Sequence, residues 1–268
     1  MFFIVLNCNS LFYYPDKVLY EDPFALGFHL REIHIHRFDG KKLAAWFFLT
    51  KEKPRGTVLQ LHGNAQNMSS HYRLLSWVLE HGFHLFTFDY QGYGLSEGNP
   101  SPEGTIEDAL AAFRQLLTIK EAHNLPIIIY GQSLGGKVAQ DFLAFLHAEE
   151  LAQIGGVILE GSFSSYQKLA AEKMREGILS YPLFPLAYLL IKDPPIPEPK
   201  GKLPPFLIIH GTHDMVVSYK NAKELAEKYD APLLTLQGGS HLDPMTYRDP
   251  IYRQEILGYL DYFSNRLR

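Results

Sequence analysis

At 268 residues the chain is long enough for one large single-core domain, and its hydrophobic and charged fractions are those of an ordinary soluble protein. The net charge of -4 gives no sign of binding to nucleic acid or an acidic membrane. A single cysteine, Cys8, excludes an internal disulfide framework and any cysteine-based zinc site.

Met1 to Leu6 is apolar, too short for a secretory h-region, and has no basic residue before it. It reads as an arm packed on the body of a cytoplasmic protein. The alternative is the tail of a bacterial lipoprotein signal, with Cys8 lipidated and the protein anchored to a membrane; Asn7 departs from the small residue such a site prefers. No other stretch approaches a membrane span. Residues 1–30, with Phe12-Tyr-Tyr-Pro-Asp16, form an irregular arm expected to lie across the sheet edge. The remaining residues, 31–268, form one domain.

Residues 32–38 alternate, turn at Asp39-Gly40 and continue into 43–50, the pattern of a hairpin. Residues 57–61 read as a buried strand ending at His62-Gly63. Ser70 is placed to cap a helix running to Glu80, which His81-Gly82 stops. Next come a strand over 84–88, ending at Asp89, and a Gly-rich loop from Gln91 to Gly98. A long amphipathic helix over 102–123 follows. Ile127 to Ile129 is a buried strand, then Gly131-Gln-Ser-Leu-Gly135, then a helix from Gly136 to about Glu149. Further strands are expected over 155–159, 206–210 and 233–236, with helices over 166–191, 219–229 and 250–267. Residues 162–205 make a short lid and a Pro-rich connector. Alternating strands and helices from residue 57 onward predict an α/β fold. Its mostly parallel central sheet has an antiparallel N-terminal edge and helices on both faces.

Strand, G-x-S-x-G, helix is the context of a nucleophile elbow. A turn sharp enough to push one hydroxyl above the sheet crowds the residues two before and two after it. Gly131 and Gly135 answer that by having no Cβ. Ligands meet an open parallel sheet at the carboxyl ends of its strands. There the sequence places His62-Gly-Asn-Ala65, Asp89, Ser133, Glu160, Asp214 and His241. A serine hydroxyl needs a base within hydrogen-bond reach, and the base needs an acid to fix its tautomer. His241 fits the first role. Asp214 fits the second, with Glu160 its rival. Two backbone N–H groups must hold the oxyanion: Leu134, and Asn64 with Ala65 as the alternative. Asp89 reads as a structural acid pinning the Gly-rich loop. His34-x-His36 would point two imidazoles to one face, with no obvious third metal ligand.

These phrases resemble the alpha/beta-hydrolase superfamily from about residue 30 onward, and Ser133, Asp214, His241 follow its chain order. His62-Gly-Asn-Ala-Gln-Asn67, Asp89-Tyr-Gln-Gly-Tyr-Gly-Leu-Ser96 and Gly239-Ser-His241 resemble its small-lid branch, which includes protein depalmitoylases. Two departures stand out: the Pro-rich insert in the lid, and Gln66 where that branch often has glycine. The resemblance implies a cofactor-free, metal-free serine hydrolase acting on esters or thioesters, with a small-molecule or protein-borne acyl substrate. Membrane contact would come through the N-terminus or the lid. A serine peptidase on the same fold and a catalytically silent binding protein are the rivals.

Overall fold

The computed structural model describes residues 12–176, 191–243 and 245–267. Cys8, and with it the lipoprotein reading, lies outside them, as do residues 177–190 of the helix expected over 166–191 and of the lid. Among the described residues no helix is long and apolar enough to cross a membrane.

The N-terminal half contains β1 (Tyr14–Pro15), β2 (Leu30–His36), β3 (Lys42–Phe48), β4 (Gly56–Leu61), β5 (Ala65–Gln66), α1 (Met68–Leu75), β6 (Phe83–Phe88) and α2 (Pro102–Leu117). The elbow region follows as β7 (Ile127–Gln132), α3 (Leu134–Leu143), α4 (Ala148–Leu151), β8 (Ile154–Glu160) and α5 (Tyr166–Glu176). After the connector come β9 (Phe206–Gly211), α6 (Tyr219–Tyr229), β10 (Leu233–Leu236), α7 (Met245–Arg248) and α8 (Pro250–Asn265). Eight of these strands form one sheet in the order β10-β9-β8-β7-β4-β6-β3-β2. The β2–β3 and β3–β6 pairs are antiparallel and the others parallel, as the leading hairpin and the later alternation predict.

The strands are apolar on both faces because each face carries its own core. Leu59, Leu61, Ile129, Val157, Leu159 and Ile208 pack with Phe113 of α2, Phe142 of α3 and Leu225 of α6. Their neighbours in sequence, Val58, Ile128, Tyr130, Ile158 and Ile209, pack with Tyr72 of α1 and with Ile256, Leu260 and Phe263 of α8. From β4 the chain runs outward to β6, then returns to β7 on the other side of β4. That reversal opens a crevice at the carboxyl ends of β4 and β7. The loop after β4 and the elbow after β7 are therefore neighbours.

Several boundaries differ from the sequence reading, each for a local reason. Asn67 caps α1 in place of Ser70: its side chain accepts from Ser69 N at 3.0 Å, while Asp89 Oδ1 takes Met68 N at 2.6 Å. The helix then tightens to a 3-10 turn over Ser76–His81 and ends at Gly82, φ 81°. α2 stops at Leu117, before a separate 3-10 turn over Lys120–Ala122. α3 starts at Leu134 and ends at Leu143. Glu150 accepts from His147 N at 2.9 Å and caps α4 as a fresh helix.

The arm is the larger correction. From Phe12, where the described part begins, it does not lie across the sheet edge but along the loops at the carboxyl ends of the strands. Tyr14 and Pro15 pair in parallel with Ala65 and Gln66. Gly94 N donates to Asp16 O at 2.8 Å, and Lys17 Nζ to Ser96 O at 2.9 Å. Phe12 and Tyr13 are buried in the core against Tyr166, so the arm contributes apolar burial as well as backbone bonds.

Candidate active site

Ser133 has φ 53° and ψ -115°, a region that costs a side-chain-bearing residue roughly 1–3 kcal/mol unless the surroundings impose it. Here they do. Ser133 N donates to Glu160 O at 2.8 Å, and Ser133 O accepts from Gly136 N at 3.0 Å and Ser162 Oγ at 2.9 Å. A Cβ at Gly131 would stand 2.6 Å from Gly135 O, and one at Gly135 would stand 1.9 Å from Leu61 O. The turn is thus pressed against β4 with no room for a methyl group at either glycine. Ser162, the first residue of the segment expected to form the lid, is a brace of the elbow.

His241 Nε2 lies 3.0 Å from Ser133 Oγ, and His241 Nδ1 lies 2.7 Å from Asp214 Oδ2. The three residues come from the ends of β7 and β9 and the loop after β10, so the sheet brings them together. Asp214 is fixed by two further donors: its Oδ1 accepts from Val216 N and Val217 N, each at 2.8 Å. Burial alone would raise its carboxyl, but hydrogen bonds with His210 and His241 hold it well below the usual carboxylate range. His210 is itself set by Val217 O, 2.8 Å from its Nε2. Asp243 shapes the loop carrying His241: its Oδ2 accepts from Ser240 N and Ser240 Oγ, each at 2.7 Å. Gly161, φ 58°, faces the imidazole, and a Cβ there would stand 3.3 Å from the ring.

Glu160, the rival acid, is buried and bonded elsewhere: Gln132 Nε2 donates to its Oε2 at 2.9 Å. Burial raises its carboxyl above the ordinary range, against hydrogen bonds from Gln132, Thr246 and Tyr130.

The loop after β4 faces the elbow. Leu134 is the first residue of α3, where a backbone N–H has no intrahelical acceptor. Asn64 N–H donates to no backbone acceptor among the described residues. Gln66 has φ 63°, a conformation glycine adopts at less cost, which gives physical content to the departure noted at that position. Asp89 holds the Gly-rich loop: Ser96 Oγ donates to its backbone carbonyl at 2.7 Å, and a Cβ on Gly94 would stand 1.9 Å from its Oδ2. Burial pushes the Asp89 carboxyl up to about 7 and the nearby His62 imidazole down to about 3. Among the described residues no group of three His, Cys, Asp or Glu side chains is placed to hold a metal ion, and His34-x-His36 has no third partner there.

Comparison with known proteins agrees with this architecture. The family described as "Serine aminopeptidase, S33" matches residues 52–191, just over half of the chain. An uncharacterized protein of Salmonella typhi, YfhR, is 30% identical over 280 residues, covering 96% of this chain and 92% of its own. Human alpha/beta hydrolase domain-containing protein 17B is 30% identical over 213 residues, covering 78% and 68%. Among solved structures, the Pyrococcus furiosus esterase Pf2001 superposes with a TM-score of 0.70 at 20% identity, covering 95% and 98%. That last likeness speaks for the fold alone. With the sheet order, the elbow and the family match taken together, the chain belongs to the S33 serine aminopeptidase family of the alpha/beta-hydrolase superfamily, and it is a hydrolase.

Proposed function

We propose that the protein is a serine hydrolase that cleaves carboxylic esters or thioesters through an acyl-enzyme. The observation that carries this reading is the continuous hydrogen-bonded chain from Ser133 through His241 to Asp214, built on a strained elbow. Ser133 Oγ attacks the acyl carbon as His241 Nε2 takes its proton. Asp214, held ionised, fixes the tautomer with the proton on Nδ1 and stabilises the imidazolium. Leu134 N–H and Asn64 N–H receive the negative charge that develops on the carbonyl oxygen. Collapse expels the alcohol or thiol, which takes the proton from His241. Water then repeats the cycle and releases the acid. Apart from water, every group this chemistry requires is a protein group, so no cofactor enters it. The resemblance to protein depalmitoylases extends the substrate class to a protein-borne acyl group.

The test is hydrolysis of p-nitrophenyl esters of increasing chain length by wild type and Ser133→Ala, with intact-mass detection of a fluorophosphonate adduct. Turnover and adduct both vanish in the variant; a folded wild type that takes no adduct would sink the reading. The description of the matched family favours a second reading, attack on an N-terminal aminoacyl bond. Turnover of aminoacyl p-nitroanilides at rates matching the esters would select it.

A further inference from the structure

The four consecutive carbonyls of the loop after β4 are all held. Tyr90 Oη donates to His62 O at 3.3 Å, and His62 Nδ1 donates to Gly63 O at 2.7 Å. Asn64 O accepts two bonds, from Tyr93 Oη at 2.7 Å and from Tyr14 N at 2.9 Å. His71 Nε2 donates to Ala65 O at 3.0 Å. These donors come from the arm, the segment after β6 that includes the Gly-rich loop, α1 and the loop itself. In a trans peptide the N–H points away from the carbonyl of the same plane. The bond on Gly63 O therefore aims Asn64 N–H, and the pair of bonds on Asn64 O aims Ala65 N–H. The two planes meet at the Cα of Asn64, so holding both fixes its φ and ψ.

We propose that Tyr93, together with the backbone N–H of Tyr14, is a positioning residue for the oxyanion hole, which makes the N-terminal arm a working part of the site. The proposal rests on the reading of Ser133 as nucleophile and of the 62–65 loop as oxyanion donor. Two features make the arrangement directional. Tyr93 is fully buried, and burial keeps its phenol protonated, so its hydroxyl stays a donor. The loop that carries Tyr93 is gripped by the same arm, through Gly94 N to Asp16 O and Lys17 Nζ to Ser96 O. Asp16 also reaches the far side of the oxyanion loop, accepting from Asn67 Nδ2 at 2.8 Å. The arm thus ties the loop after β4 to the loop after β6. Such a donor pair is useful only if it is aimed before charge develops, because reorganisation at that moment would add to the barrier. Neither hydroxyl nor arm touches the reacting atoms; both hold the Asn64–Ala65 peptide, and act on the Asn64 N–H through the Cα where its plane meets that one.

The experiment compares full-length wild type, Tyr93→Phe, Tyr14→Pro and Ser133→Ala on a matched pair of substrates, a p-nitrophenyl ester and its thionoester. Tyr93→Phe keeps the ring and removes one donor; Tyr14→Pro removes the other. An oxyanion hole favours oxygen over sulfur, so the oxyester-to-thionoester rate ratio reads its alignment. Each variant should lower kcat on the oxyester about tenfold, below the 10²–10³ of deleting a direct donor, with KM little changed. The rate ratio should fall by the same factor. A merely structural role would lower the melting temperature or both substrates alike. An unchanged ratio in folded Tyr93→Phe and Tyr14→Pro overturns the proposal. If Tyr93→Phe does not fold, Tyr14→Pro decides alone. Turnover surviving in Ser133→Ala would instead mean that the underlying reading of the site is wrong.

Discussion

Gln132 and Glu160 face each other as register partners on β7 and β8, and the Gln132 amide donates to the Glu160 carboxylate at 2.9 Å. Gln60 on β4 continues the line, donating to Gln132 Oε1 at 2.8 Å. Beneath the elbow, then, lies a three-strand polar chain that engages the acid a reader of the sequence would weigh against Asp214. Glu160→Gln should leave kcat near wild type, because an amide oxygen still accepts from Gln132. Asp214→Asn should lower it by about 10⁴, by analogy with other triads whose acid loses its charge. Steady-state kinetics on one ester separate the two; a large loss in Glu160→Gln alone would reverse the assignment.

The elbow glycines should be intolerant of a single methyl group. Gly135→Ala drives a Cβ to 1.9 Å from Leu61 O, a backbone atom in a central strand that has nowhere to go. We expect a loss of roughly 3 kcal/mol or more in urea unfolding. Gly258, inside α8, has nothing within 4 Å of the same position. Gly258→Ala should stabilise by roughly 0.5–1 kcal/mol, since alanine loses less backbone freedom on folding. A neutral Gly135→Ala would contradict the packing described.

Asp89 gives the stability a definite pH dependence. Burial raises its folded carboxyl from the ordinary value near 4 to about 7. A raised folded value means a contribution fully present below about pH 4 and lost as pH rises through about 7, worth at most about 4 kcal/mol. His62 has the opposite sign. Its depressed imidazole contributes stability that is present above about 6.5 and lost as pH falls toward about 3. The two partly offset each other in wild type. Asp89→Asn keeps an acceptor for Met68 N and removes the first contribution. Measured from pH 4 to 7, the stability of wild type minus that of the variant should fall steadily; a flat difference would refute the assignment.

Arg37 pins the β2–β3 hairpin to α2 through a pair of unequal partners. It is buried, as is Asp108, whose Oδ1 lies 2.5 Å from Arg37 Nη1 and whose Oδ2 accepts from Gln91 N at 2.8 Å. Glu107 also pairs with Arg37 but is largely exposed. Asp108→Ala removes the buried partner, leaving Arg37 with Glu107 and Asp39 and Gln91 N without its acceptor, and should cost about 3 kcal/mol. Glu107→Ala removes a solvated partner and should cost at most about 1 kcal/mol. Chemical denaturation of the two variants side by side checks the contrast.

What could be read from the chain follows from locality. The strands, the hairpin turn at Asp39-Gly40 and the elbow each declare themselves within ten residues. The order of strand-end acids and bases then places Ser133, Asp214 and His241 on one edge. The two-residue β1 carries no periodicity of its own, so its pairing with Ala65 and Gln66 was invisible. Ser70 is the better cap by spacing, but Asn67 wins because Asp89, 21 residues beyond Met68, takes the Met68 N–H. The parts played by Ser162 and Tyr93 depend on carbonyls reached across the fold, 29 residues away in each case. A local pattern has no means of showing them.

The conformation at Ser133 separates where a reacting atom sits from what that atom is. Its N–H and carbonyl are both tied, and two glycines leave the flanking chain no slack, so the direction of its Cα–Cβ bond is decided before any side chain is attached. Position 133 is in that sense a fixed mount. A thiol or carboxylate installed there would inherit the address of the hydroxyl, above the sheet and beside the α3 N-terminus, and would answer to the same imidazole. Chemistry at this edge of the sheet can therefore be exchanged without redesigning the scaffold that aims it.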